Sequence, residues 1–400
     1  MAVFHDSAVD RVALRKYRLD RVREQLRKRD YAGILLYDPI NIRYATDTAN
    51  MQVWTMHNKV RYLFLPTEGP ISLFDFHNCE HLAAGHESVD EVRPAISYYY
   101  FSDAQRCDER AGRWADEIAD LLRRHGGGNR RLAVDHIDPR GLHALTDRQI
   151  EATDGEEIME IARAIKNDVE IGAMMEAVKA CEEGMRRMQQ ALEPGMTENA
   201  LWSILHQANI ELGGEWIETR LLSSGPRTFP WFQECASRRI ETGDMVSFDT
   251  DLIGPNGYCS DLSRSWLCGD GKATDAQKRI YGVARAQIEH NIALLKPGLG
   301  FHEFVDKAYK LPELYIPHRY SVVSHGVGLC DEYPAIKYAE DRESSGYDGV
   351  FEPGMTVCIE SLVGSAAAGE SVKLEEQILV TETGARRLSS YPFEDARFGV

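Results

Sequence analysis

The stretch FDTDLIGPNGYCSD, from Phe248 to Asp261, restricts the fold of this chain more than any other. It continues the apolar run Met245-Val246-Ser247-Phe248, which reads as a strand, and it ends that strand in Asp249. A buried carboxylate without a partner forfeits roughly several kcal/mol of solvation, so something must balance it. Period two puts Asp249 and Asp251 on one strand face, and the turn Gly254-Pro255-Asn256-Gly257 returns the chain to Asp261. Taken alone, these three carboxylates could also form a solvated acidic hairpin. They are joined, however, by His325 in SHGVGL, by Glu360 at the end of TVCIE after Pro353-Gly354, and by Glu375 in VKLEEQ. Hard oxygen donors with one imidazole suit two divalent ions of the Mn, Fe, Co or Zn kind.

Around this constellation the pattern alternates. Val12, Leu14, Leu19, Val22 and Leu26 recur near helical spacing between residues 10 and 30, predicting an amphipathic helix. The apolar runs 32–37 and 131–135 read as strands, so residues 1–160 are expected to form a smaller α/β domain. Residues 161–400 carry helical stretches at 168–192, 197–212 and 275–295, and strand-like runs at 245–249 and 356–360 that each end in a carboxylate. Paired helices with sheet imply an α+β layer architecture rather than a doubly wound sheet, and neither a dinucleotide nor a Walker loop contradicts that.

A length of 400 residues suggests two domains, and 43% hydrophobic with 27% charged residues is ordinary globular composition. No run of about 18 apolar residues is available to span a bilayer. Met1 to Arg11 lacks the apolar segment of a secretory leader, so the expected address is the cytoplasm. A formal charge of -17 repels phosphate backbones and argues against nucleic acid as a partner. The eight cysteines form no C-x-x-C pair and read as free thiols. His57, His77, His81 and His86 have no regular ligand spacing and read as surface histidines.

With its acidic residues and histidine in this order, the chain resembles the creatinase/aminopeptidase P, or pita-bread, family of methionine aminopeptidases and prolidases. The likeness extends to AIKNDVEIGAMMEA, the SSGP turn at Ser223 to Pro226, LKPG at Leu295 to Gly298, and EPGM before Glu360. It implies a pita-bread metal-binding domain preceded by a creatinase-type N-terminal domain, and a homodimer. Two departures stand out. Peptidases of this family carry a His soon after the SGP turn, where this chain reads Arg227-Thr228-Phe229-Pro230-Trp231-Phe232. They also space their first two Asp by eleven, whereas Asp249 and Asp251 precede Asp261 by twelve and ten. Both features are similar to one branch, the iron-dependent dimethylsulfoniopropionate lyases, as are NIRYATDTANMQVW, GGEWIETRLLSSGPRT, WFQEC, HGVGLCDEYP and KLEEQ. That resemblance implies iron held by Asp249, Asp251, Asp261, His325, Glu360 and Glu375, with Asp331 as the base.

The small-molecule substrate so implied is a sulfonium zwitterion, cleaved by β-elimination to acrylate and dimethyl sulfide. This carbon–sulfur lyase chemistry needs a base for the proton α to the carboxylate, positive charge to hold the carboxylate, and an aromatic wall for the sulfonium. Trp54, Tyr320 and Trp231 are candidates for the wall, each with a core or interface role as the alternative. For Asp331 the alternative is a helix N-cap. At the level of the whole chain, the alternatives are a metallo-hydrolase of the same fold, prolidase-like or amidohydrolase-like, and a non-catalytic binding module.

Overall fold

In a computed structural model of the protein, residues 9–400 are described, so most of the Met1 to Arg11 stretch lies outside the described residues. The chain divides into two compact units between Arg163 and Ala164. In the first, a mixed six-stranded sheet runs in the order β4-β3-β2-β1-β5-β6, with strands Gly33–Leu36 (β1), Tyr62–Pro66 (β2), Ser72–Asp75 (β3), Glu91–Pro94 (β4), Arg131–Val134 (β5) and Glu151–Asp154 (β6). The central strand β1 is antiparallel to β2 and parallel to β5, and all four of its residues are buried. The helix Cys107–His125 turns Trp114, Ala115, Ile118 and Leu122 onto an aromatic layer of Tyr37, Tyr62 and Phe74. The predicted first helix spans Arg11–Lys28, capped by the Asp10 carboxylate, which accepts from the Ala13 N–H at 3.0 Å. Its buried face is not purely apolar. Leu14, Val22 and Leu26 are buried as expected, but Val12 is exposed and Arg18 takes a buried place, its guanidinium 5.5 Å over the Tyr44 ring.

The second unit builds three antiparallel sheets. Leu222–Ser224 (β8), Met245–Asp249 (β9) and Ser263–Leu267 (β12) form one, in the order β12-β9-β8. A small one joins Trp216–Ile217 (β7), Leu252–Ile253 (β10) and Cys259–Ser260 (β11). The third runs β14-β13-β15-β16-β17, from Ser324–Val327 (β13), Asp331–Ile336 (β14), Thr356–Gly364 (β15), Ser371–Val380 (β16) and Ala385–Arg387 (β17). The helices Asp168–Ala191 and Glu198–Glu211 pack Met185, Met188, Leu201, Trp202 and Leu205 with Val246, Phe248 and Trp266. The helix Asp275–Leu294 packs Ile280, Ala284 and Ile288 with Val357, Ile359, Leu374 and Ile378 in a separate core.

Between these two cores the sheets meet through hydroxyls. Ser247 Oγ donates to the Ser371 carbonyl at 2.9 Å, and Ser265 Oγ donates to the Lys373 carbonyl at 3.0 Å. The Lys373 N–H donates back to Ser265 Oγ at 3.1 Å. Small side chains let the backbones approach, and the hydroxyls satisfy groups that apolar residues would leave unpaired. Along this seam β15 continues to Gly364, so Glu360 lies within the strand rather than at its end. Every residue of β15 and β16 is buried, as a strand covered on both faces requires. Among the described residues, no helix is long and apolar enough to cross a membrane.

Strand β13 carries a register shift between His325 and Gly326 that aims the imidazole. A Cβ on Gly326 would lie 2.2 Å from the Tyr333 carbonyl oxygen, a backbone atom that cannot move aside. Gly326→Ala is therefore expected to cost about 1–3 kcal/mol or more in urea denaturation. Gly172→Ala, on an open helix surface, is expected to be neutral or stabilising by up to about 1 kcal/mol. Equal midpoints for the two variants would contradict this account.

Candidate metal centre

Each acidic residue reaches the seam from a different strand or turn. Asp249 is the last residue of β9, and its Oδ1 accepts from Ser263 Oγ at 2.6 Å. Asp251 does not share a strand face with it. The chain turns left-handed there (φ 37), leaving one sheet for another, and the Thr219 hydroxyl holds the Asp251 carboxylate. The expected period-two alternation fails because β9 ends at Asp249 and β10 begins at Leu252 in a different sheet. The return turn is as expected, with Leu252 opposite Ser260 and Ile253 opposite Cys259. It delivers Asp261, whose N–H donates to Gln377 Oε1 at 3.3 Å.

Glu360 on β15 and Glu375 on β16 are direct cross-strand partners. Like charges so placed repel, unless a cation lies between them. His325 Nε2 is 3.3 Å from Glu360 Oε1, 3.4 Å from Glu375 Oε1 and 3.6 Å from Asp261 Oδ2. The six residues expected to bind metal thus fall into one region of the second unit, five of them buried and Asp251 half-buried.

Burial, with the neighbouring carboxylates, raises the Asp251 carboxyl to about 8 and, despite Lys373, the Asp249 carboxyl to about 7. Asp261 is pushed well above the usual range by burial and by Glu375, Asp251 and Asp249. Burial opposes ionisation of Glu375 as well, but Lys373 and His325 outweigh it and hold that carboxyl well below its ordinary value. For His325, burial would lower the imidazole, yet Asp331, Glu360 and Glu375 hold it well above. A cluster that resists ionising all its carboxyls is short of positive charge. Asp261 Oδ1 is buried without a hydrogen-bond partner, an oxygen oriented for a ligand.

The donor set fits divalent metal. Donor atoms of Asp261, His325, Cys358 and Glu375 lie within 4.8 Å of one another, as do those of Asp251, Asp261 and Asp331. Asp261 belongs to both groups, so it is common to the two sets of residues that would hold metal. Cys358, read from sequence as an ordinary free thiol, stands two residues before Glu360 on the same strand face. Lys373 stands likewise two before Glu375, and its Nζ is 3.0 Å from Asp249 Oδ2 and 2.7 Å from Glu360 Oε2. Sequence reading missed both roles, although period two from the ligands is a signal that could have found them.

Asp331 opens β14 rather than capping a helix, its side chain 59% exposed and its Oδ1 3.5 Å from His325 Nδ1. Tyr320 is half-buried, its ring centroid 4.6 Å from Lys373 Nζ, and Phe232 stacks on it at 5.6 Å. Phe232 was not among the sequence candidates. Its neighbour Trp231 is buried instead, with its indole N–H unpartnered. Trp54 belongs to the first unit, partly exposed and edge-on to Phe76 at 5.3 Å. Of the four set-aside histidines, His57, His77 and His81 are exposed, while His86 is half-buried with its Nδ1 2.9 Å from Ser88 Oγ.

Residues 172–382 match metallopeptidase family M24, and residues 18–165 match the creatinase/prolidase N-terminal domain. The chain is 43% identical to dimethylsulfoniopropionate lyase DddP of Roseovarius nubinhibens, over 96% of this chain and 88% of that one. It is 42% identical to the enzyme of the same name from Roseobacter denitrificans, over 98% and 89%. Xaa-Pro aminopeptidase 1 of Streptomyces coelicolor is more distant, at 26% over 68% and 61%. Among solved structures, an Xaa-Pro dipeptidase from Bacillus anthracis superposes with a TM-score of 0.77 at 22% identity, over 95% of this chain and 99% of that one.

Because the Asp249 and Asp251 carboxyls titrate near 7 and 8, an incoming metal must displace protons. Metal affinity of the stripped protein is therefore expected to rise from pH 6 to pH 8. Titration calorimetry in two buffers of different ionisation enthalpy should read net proton release at pH 7. A pH-independent affinity without proton release would contradict the raised carboxyls.

Proposed function

This chain belongs to metallopeptidase family M24 and to its dimethylsulfoniopropionate lyases, and from that premise we propose how its residues divide the work of the elimination. The reaction converts dimethylsulfoniopropionate to acrylate and dimethyl sulfide. Two divalent ions, held by Asp249, Asp251, Asp261, His325, Glu360 and Glu375, would supply the positive charge that steadies a substrate carboxylate as its α-proton becomes acidic. Iron is our reading for both, with Mn, Co and Zn as alternatives, and a cytoplasmic homodimer is our reading for the assembly.

Asp331 is the base. Its exposed carboxylate is beside Asp251 and Asp261 yet open to an incoming molecule, and this position is the observation that carries the proposal. It accepts the α-proton, the electron pair of that C–H bond forms the Cα–Cβ double bond, and the Cβ–S bond breaks. The sulfur leaves with the bonding pair as neutral dimethyl sulfide, so no water nucleophile is needed. His325 Nδ1 lies 3.5 Å from the Asp331 carboxylate and is hydrogen-bonded to the Gly326 carbonyl at 3.1 Å, which turns Nε2 toward the side of Glu360 and Glu375. Tyr320 and Phe232 form the aromatic wall for the sulfonium, worth about 0.5 to 2 kcal/mol per well-placed ring.

A hydrolase reading draws on relatives such as the Streptomyces coelicolor aminopeptidase at 26% identity, and Trp231 stands where such enzymes are expected to carry a His. Headspace measurement of dimethyl sulfide tests the proposal. Asp331→Asn is expected to lower kcat by about 10² to 10⁴ with metal content unchanged. Tyr320→Leu should raise KM several-fold with a smaller effect on kcat. Retention of full activity by Asp331→Asn would remove that residue as base. An inactive wild type after iron reconstitution, alongside hydrolysis of Xaa-Pro dipeptides, would overturn the elimination itself.

A further inference from the structure

Lys373 is fully buried, within the cluster that the metal reading fills with divalent ions. Its ammonium faces four acceptors: Asp249 Oδ2 at 3.0 Å, Glu360 Oε2 at 2.7 Å, Glu375 Oε2 at 3.2 Å and Ser263 Oγ at 2.7 Å. The Tyr320 ring closes the remaining side at 4.6 Å. The ammonium donates hydrogen bonds to Ser263 Oγ and Glu375 Oε2, pairs by charge with Asp249 Oδ2 and Glu360 Oε2, and is sealed from solvent. Its contacts are selective. On Glu360 and Glu375 it takes the Oε2 atoms, and the Oε1 atoms are the ones that face His325 Nε2. Ser263 bridges Asp249 Oδ1 and Glu375 Oε2, but its single hydroxyl proton serves only one of them at a time.

We propose that Lys373 is a built-in counter-cation and positioning residue of the metal centre, holding the outer oxygens of Asp249, Glu360 and Glu375 so that Glu360 and Glu375 turn their Oε1 atoms toward the metal side. The charge count agrees. Two divalent ions leave the five carboxylates of Asp249, Asp251, Asp261, Glu360 and Glu375 one negative charge in excess, and the ammonium cancels it. The carboxylate end of a substrate then meets a neutral centre rather than a repelling one. Without the ammonium, Asp249 Oδ2, Glu360 Oε2 and Glu375 Oε2 lose the cation they share, and the excess negative charge is left uncompensated in a buried site. Outer partners of this kind are typically worth about 10 to 100-fold in metal affinity.

The inference rests on the metal-centre reading and not on the substrate, so its test uses Co(II) alone. Stripped wild type, Lys373→Met, Lys373→Gln and Lys373→Arg are compared by titration calorimetry and by the Co(II) visible spectrum, on protein shown to be folded by circular dichroism. Both neutral variants are expected to bind Co(II) about 10 to 100-fold more weakly with an altered spectrum. Lys373→Arg, which keeps the charge, should stay within about threefold of wild type. Wild-type affinity and spectrum in either neutral variant would overturn the proposal, as would an Arg variant that loses as much as they do. Should only the Arg variant fold, its own loss or retention of affinity decides the matter. Failure of the wild type to bind Co(II) would instead overturn the metal-centre reading.

Discussion

Repulsion among carboxylates held in one buried region is the constraint on which the second unit depends. Glu360 and Glu375 face each other across adjacent strands, and Asp249, Asp251 and Asp261 are brought to the same place from another sheet. No arrangement of neutral side chains resolves such a cluster, because each ionised group raises the cost of ionising the next. The fold answers with cations and donors of its own: Lys373, His325, and the hydroxyls of Ser263 and Thr219. What these leave over is the demand for metal, visible in the raised carboxyls of Asp249 and Asp251.

The same geometry separates two kinds of chemistry. Acids grouped with His325 and Cys358 are sealed in, and Asp331 stands at the edge with its carboxylate open. Hydrolysis requires a positioned water and a group to receive the developing charge, whereas elimination requires only an accessible base and a steadied carboxylate. Trp231 is buried, and its exposed neighbour Phe232 extends the aromatic surface at Tyr320.

Much of this was legible in the sequence, for a physical reason. Charged residues ending apolar runs are expensive, so Asp249 and Glu360 announced themselves, the 254–257 turn led to Asp261, and helix ends at Asp168–Ala191 and Asp275–Leu294 followed from caps and breakers. The left-handed turn at Asp251 was not legible, since alternation assumes an unbroken strand and local sequence does not reveal a switch between sheets. Nor was Lys373 singled out. A lysine beside acidic residues reads as surface, and only the burial of all ten residues of β16 makes it an interior charge. Which aromatic ring flanks the centre was equally hidden, because Trp231 and Phe232 differ by one position and pack in opposite senses.

The seam between the two sheets has an evolutionary consequence. Its contacts include hydrogen bonds from Ser247, Ser263, Arg264 and Ser265, while most of the apolar packing lies in two separate cores, one with the helix pair and one with the Asp275–Leu294 helix. Substitutions can accumulate in either core, repacking its interior, without passing through the residues that set the spacing of the acids. A scaffold so partitioned can drift to about a fifth sequence identity, as against the Bacillus anthracis dipeptidase, and still superpose closely. Inheritance of the frame and divergence of the reaction are then controlled by different sets of residues.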